Sequence, residues 1–259
     1  MKKAFVCFAC ILLAGITLAL IVSVFNTSNF WVSQACAIGL YLGYLTVYLV
    51  FNANAPTVEK SDFKRPRPTN IVKIMVLTIC CIGAFMLLQF VCIDFFRLIG
   101  LGTDSSTFYI DTWPKYLMCT LAMCVMPAVI EELLFRGIIF KSLKSDSAIK
   151  KPWVALVSGA ILFAAFHLSF TQLVYQFILG LIFAGVFMKT GNLLYSMVAH
   201  FINNFFIITY TFIAGSDDMS YTWSGYTIIT AILLIGVGAL IIHSLIKSLK
   251  KEHNAHSQR

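Results

Sequence analysis

Glu131 and Glu132 stand side by side in an otherwise apolar run, MPAVIEELLFRG, with Arg136 four residues after the second acid. An ionisable side chain near the centre of a bilayer costs about 2.5–3.5 kcal/mol even on the lenient insertion scale, so each one needs a partner or a task. On a helix, Glu132 and Arg136 share a face with the acid on the N-terminal side, the favourable order for an intrahelical ion pair. Glu131 points about 100° away and has no local cation. Its charge must be met by another helix, by water or by a metal, and a second structural salt bridge is the plain alternative. Pro127, four residues before Glu131, deletes a backbone hydrogen bond and predicts a kink just ahead of the site.

Two more apolar segments carry polar groups of the same kind. Phe163-Ala-Ala-Phe166-His167 places an aromatic ring one turn before a histidine, and His200-Phe-Ile-Asn203-Asn204 puts His200 and Asn204 on one helical face. Taken singly, the first reads as a packed histidine and the second as helix-to-helix glue. Three segments each delivering such a group into lipid predict a shared polar cavity. Within it, a carboxylate and an imidazole made more basic by poor solvation orient and deprotonate a water. A second imidazole and a side-chain amide donate hydrogen bonds to a developing oxyanion. Alternatively, Glu131, His167 and His200 hold a divalent metal such as zinc with an open water position. The residues serve either version.

The elements that must position these groups follow from composition. Hydrophobic residues make up 59% of the 259 and charged residues 12%, against roughly 25% charged in an ordinary soluble domain. The chain reads as an all-α, polytopic membrane helix bundle. Eight apolar runs reach or approach the roughly 20 residues that a crossing requires: about 4–25, 30–51, 71–96, 117–140, 153–170, 172–188, 193–214 and 226–246. Of the 19 lysines and arginines, all but Arg97 and Lys115 fall on one alternating side, which predicts that both termini are cytoplasmic. The formal charge of +8 is then topology signal, and nucleic acid is no expected partner. The first run is too long for a signal-peptide core and is kept as a helix. The eight cysteines lie in predicted spans and read as packing residues. Residues 52–70, rich in proline and basic side chains, read as a cytoplasmic loop, and 247–259 as a basic tail. Gly39-x-x-x-Gly43 has the spacing at which two helices approach closely.

On Glu131-Glu132 with Arg136, Phe163 with His167, and His200 with Asn204, the chain resembles the CPBP family of intramembrane proteases. That group includes CAAX-prenyl endopeptidases and bacterial bacteriocin-processing and self-immunity proteins. Its motifs Glu-Glu-x-x-x-Arg, Phe-x-x-x-His and His-x-x-x-Asn occur here in order with intact spacing, and the resemblance covers about residues 115–210. It implies one integral membrane domain over 1–259, with its protease core at 115–210, in the cell membrane. It further implies an endopeptidase acting on a membrane-presented peptide or protein near the cytoplasmic side. Glu131 and His167 would activate water, His200 and Asn204 would steady the oxyanion, and Glu132, Arg136 and Phe163 would be structural. A leader peptide, bacteriocin or pheromone precursor ranks ahead of a prenylated CAAX substrate for a bacterial source.

Rival classes predict other signs. A transporter or ion-binding permease would use Glu131 and the histidines as a proton relay and show repeat symmetry with broken helices; a silent membrane scaffold would tolerate loss of Glu131. No H-E-x-x-H or G-x-S-x-G-like signature occurs in the chain. Counting along ideal helices at about 1.5 Å per residue puts Glu131 and His200 at similar depth but His167 nearer the outer face.

Overall fold

The computed structural model describes residues 1–23, 29–100, 110–149 and 151–214, with 232 and 236 individually. Apart from 232 and 236, the eighth predicted span lies outside the described residues, as does the basic tail. Within them the chain is helical throughout: α1 (Lys2–Val22), α2 (Phe30–Asn54), α3 (Pro68–Leu98), α4 (Trp113–Lys144), α5 (Pro152–Phe166), α6 (Leu173–Thr190) and α7 (Leu193–Ala214). Five of these, α1, α2, α4, α6 and α7, are long and apolar enough to cross a membrane, and the chain is a polytopic helix bundle. The fifth predicted span is the one most shortened. With 15 residues it extends about 22 Å, less than the roughly 30 Å of hydrocarbon, and ends at Phe166 with His167 as its C-cap.

Contacts between chain segments sort the helix ends into two groups. Lys3 Nζ donates to the Ala55 carbonyl, the terminal amine pairs with Asp146, and Asn192 Nδ2 donates to the Lys64 carbonyl at 2.7 Å. The start of α1, the segment after α2, the segment after α4 and the start of α7 therefore share one end of the bundle. At the other end, the Trp113 ring lies 5.0 Å from Phe212, and the Phe96 ring 6.1 Å from Phe170. This alternation matches the one that the basic residues predict.

α4 is the axis of the core. Leu134, Ile138, Ile139 and Phe140 are fully or almost fully buried, packing in one cluster with Ile11 of α1, Phe163 of α5, Phe183 of α6 and Leu193 of α7. The helix is not uniform. Thr120–Val125 and Leu133–Phe140 are π-wound, on either side of the α-helical turns Met126–Glu132. Pro127 explains the first stretch: lacking an N–H, it leaves the Met123 carbonyl four residues earlier without its helical donor. π-Wound turns of this kind recur at functional sites.

The expected loop 52–70 is an ordered strap. Asn52 Oδ1 accepts from the backbone N–H groups of Thr57 and Val58, both at 3.0 Å. Asp62, 5% exposed, accepts from the Glu59 N–H at 2.8 Å and pairs with Lys141 of α4. Lys141 also donates to the Thr57 carbonyl at 2.8 Å, and the Arg67 N–H donates to Tyr195 Oη at 2.8 Å. The prolines and charges that mark this stretch as irregular are thus compatible with fixed geometry.

Close helix approach occurs elsewhere than expected. Among the described residues no atom lies within 4 Å of a Cβ built at Gly39 or Gly43, whereas one at Gly180 meets the Ala160 Cα at 3.0 Å and its Cβ at 3.1 Å. α5 and α6 therefore cross backbone to backbone at Gly180, whose carbonyl also accepts from Arg136 Nη2 at 3.1 Å. Gly180→Ala is expected to destabilise the protein by about 1–3 kcal/mol, since a methyl group must push the packed backbones apart. Gly185→Ala in the same helix, where no atom lies within 4 Å, is expected to be neutral or stabilising by up to about 1 kcal/mol. Thermal unfolding in detergent compares the two, and equal effects would remove the close crossing.

Candidate active site

α7 delivers a polar stripe into the bundle. Gly191, at φ 59°, closes α6 in the left-handed conformation that glycine adopts without strain. Asn192 then caps the next helix by accepting from the Leu194 N–H at 3.0 Å. Ser196, His200 and Asn204 follow at four-residue steps and so descend one face.

Glu132 is completely buried and fully engaged. Its Oε1 accepts from Arg136 Nη1 at 2.7 Å and from His200 Nδ1 at 2.9 Å, and its Oε2 from the Ser196 hydroxyl. Arg136, 2% exposed, has its guanidinium carbon 4.5 Å from the centre of the Phe163 ring and 5.3 Å from that of Phe183. The His200 ring stacks on Phe183 at 4.8 Å and 19°. The ion pair expected between Glu132 and Arg136 is present, and it fixes His200 as well: with Nδ1–H directed to Glu132, the ring presents Nε2 to the other side.

Glu131 is on that side. It is 2% exposed; its Oε1 accepts from the Tyr41 hydroxyl of α2 at 2.8 Å, and its Oε2 is buried without a hydrogen-bond partner among the described residues. His200 Nε2 lies 3.9 Å from that oxygen. This is too long for a direct hydrogen bond and is the kind of separation that a single water bridges.

His167, the C-cap of α5, directs Nδ1 to the Phe163 carbonyl at 2.9 Å, and its Nε2 has no hydrogen-bond partner among the described residues. The Phe163 ring is 4.9 Å from the His167 ring and 6.0 Å from the His200 ring, so both imidazoles flank one aromatic side chain. Both imidazoles thus pack on one ring, although ideal-helix counting puts His167 nearer the outer face. Next to His167, Leu168 has φ 48°, a left-handed conformation that costs a leucine about 1–2 kcal/mol. Strain of this kind collects at functional sites.

Asn204 is held by two hydrogen bonds. Its Nδ2 donates to the Met123 carbonyl at 3.0 Å, the acceptor that Pro127 orphans, and its Oδ1 accepts from Asn203 Nδ2 at 3.0 Å. Tyr175 of α6 donates to Asn203 Oδ1 at 2.9 Å. One N–H of the Asn204 amide thus closes the break in α4, and one remains. Among the described residues no three His, Cys, Asp or Glu side chains are arranged to hold a metal ion. As placed, Glu131, His167 and His200 do not form a zinc site.

Tyr41, Ser196 and Phe183 escape the sequence reading. Ser196 is visible there only as the residue one turn before His200. Tyr41 and Phe183 carry no signal, since aromatic residues are ordinary components of apolar helices.

Residues 113–206 match the family model described as Rce1-like, type II CAAX prenyl endopeptidase. No curated protein and no solved structure matches the chain. The matched segment runs from the start of α4 into α7 and contains every motif residue named above. Over this segment, about a third of the chain, the protein is similar to CAAX-type intramembrane endopeptidases.

Proposed function

From the similarity of residues 113–206 to Rce1-like CAAX prenyl endopeptidases, we propose that this protein is a CPBP-type intramembrane protease that hydrolyses a peptide bond in a membrane-presented peptide or protein precursor. The observation that carries the reading is the buried, partnerless Glu131 Oε2 facing His200 Nε2 across 3.9 Å. A water in that gap gives up its proton to the carboxylate as its oxygen attacks the scissile carbonyl. His167, with Nε2 free, shares in taking up and returning the proton to the leaving amine. A base so placed contributes about 10²- to 10⁴-fold.

His200, when it carries a proton on each nitrogen, directs Nε2–H toward the same space while Glu132 holds Nδ1–H. With the second N–H of Asn204 it supplies hydrogen bonds to the developing oxyanion, each worth about 10²- to 10³-fold. Glu132, Arg136 and Phe163 fix the geometry without meeting substrate. We assign the protease core to residues 115–210 of a single multi-pass domain in the cell membrane, with both termini cytoplasmic. The substrates in view are a prenylated CAAX peptide, a leader peptide, a bacteriocin or a pheromone precursor.

The test presents purified protein in lipid with prenylated CAAX-type peptides and leader-peptide precursors and reads the products by mass spectrometry. The wild type is expected to release one defined fragment, and His167→Ala to release none while retaining the wild-type unfolding temperature. A wild type inert toward every peptide class, or a fully active His167→Ala, would sink the reading.

A further inference from the structure

Glu131 is held by a helix that lies outside the matched segment. Tyr41 belongs to α2, 90 positions before Glu131, and its hydroxyl donates to Glu131 Oε1 at 2.8 Å. A phenol has one proton to donate, so the two carboxylate oxygens become inequivalent: Oε1 is engaged, and Oε2 is left without a partner opposite His200 Nε2. Fixing one oxygen also fixes rotation of the carboxylate, which a solvated glutamate would be free to make. A reacting group held in one orientation gains rate without any change in its chemistry.

Tyr41 is itself held in place. Its ring meets Tyr44 edge-on at 5.9 Å and 81°, and Tyr44 meets Phe166 at 5.2 Å. Phe166 in turn lies 5.4 Å from the His167 ring. A Cβ at Gly15 of α1 would stand 2.7 Å from the Tyr44 hydroxyl, so α1 carries glycine where that side chain passes. The first two helices, which the family resemblance leaves without a role, thus brace one hydrogen bond to the site.

We propose that Tyr41 is a positioning residue for Glu131, selecting Oε2 as the oxygen that receives the proton from water. This rests on the proposed function, and the experiment separates the two. The chain has only four glutamates, so ¹³C-labelled glutamate gives an infrared carboxylate spectrum in which the Glu131 band is identified by its loss in Glu131→Gln. Tyr41→Phe is compared with Tyr48→Phe, the same substitution two turns along the same face of α2. Tyr41→Phe is expected to shift the Glu131 band and to lower kcat by roughly 10- to 100-fold, the worth of a hydrogen bond to a charged group, with KM and unfolding temperature unchanged. Tyr48→Phe is expected to leave band and kcat as in the wild type. An unmoved band in Tyr41→Phe overturns the inference, as does a moved band with unchanged kcat, or a loss of kcat that only follows loss of folded protein. Failure of the proposed function reads out elsewhere, as a wild type no more active than Glu131→Gln.

Discussion

Glu131→Gln is expected to lower kcat by about 10²- to 10⁴-fold while the protein folds with its wild-type unfolding temperature. The argument is one of environment. The two adjacent glutamates are equally buried, at 2% and 0% exposure, yet their partners differ completely. Glu132 carries three hydrogen bonds, from Arg136, His200 and Ser196. Glu131 carries one, from Tyr41, which a glutamine carbonyl oxygen still accepts. Its second oxygen has no partner among the described residues to lose. An amide of the same shape at position 131 therefore removes the base and little else. Measured by peptide hydrolysis and by thermal unfolding in detergent, activity and stability should separate at position 131 and fall together at 132. Normal cleavage by Glu131→Gln, with a folded but inert Glu132→Gln, would exchange the two roles.

The site was legible in the sequence to the extent that lipid makes polarity expensive. Glu131, Glu132, Arg136, His167, His200 and Asn204 stand out because an apolar helix has no other reason to hold them. The Glu132–Arg136 pair follows from four-residue spacing alone and is present at 2.7 Å. What could not be read is whatever depends on which helices meet. Tyr41 reaches Glu131 only because α2 packs on α4, and nothing in YLGYLTVYLV separates that tyrosine from its neighbours Tyr44 and Tyr48. Spacing points to Gly39 and Gly43 for a close helix crossing, but the crossing lies at Gly180, where the opposing residue is Ala160. Spacing describes one helix, whereas an approach needs a small residue on both.

Asn204 shows the same limit from another side. Its position four residues after His200 marks it for the polar face, and an amide on that face suits an oxyanion. Its partner, however, is the carbonyl freed by Pro127 in α4. Each of the two residues stands out separately in the sequence, the proline as a kink and the asparagine as a donor. Only packing shows that the second repairs the first.

Glu132→Ala is expected to destabilise the protein by about 3–5 kcal/mol, the cost of leaving a buried charge without its counter-ion. Arg136 would keep only the Gly180 carbonyl and the Phe163 and Phe183 rings. With total stabilities of roughly 5–15 kcal/mol, such a loss is read as poor accumulation or a sharply lowered unfolding temperature. Arg136→Met should cost less, because Glu132 retains donors in Ser196 and His200 and can take up a proton. The double variant Glu132→Gln, Arg136→Met removes both charges and leaves an acceptor for Ser196 and His200. It is therefore expected to be more stable than Glu132→Ala, a coupling that a double-mutant cycle measures. Asp111 and Lys115 provide the internal comparison, with the same four-residue spacing and 2.9 Å separation but side chains 52% and 24% exposed. Breaking that pair should cost about 1 kcal/mol or less. If Glu132→Ala costs no more than Asp111→Ala, burial is not what makes the inner pair matter, and its structural role is lost.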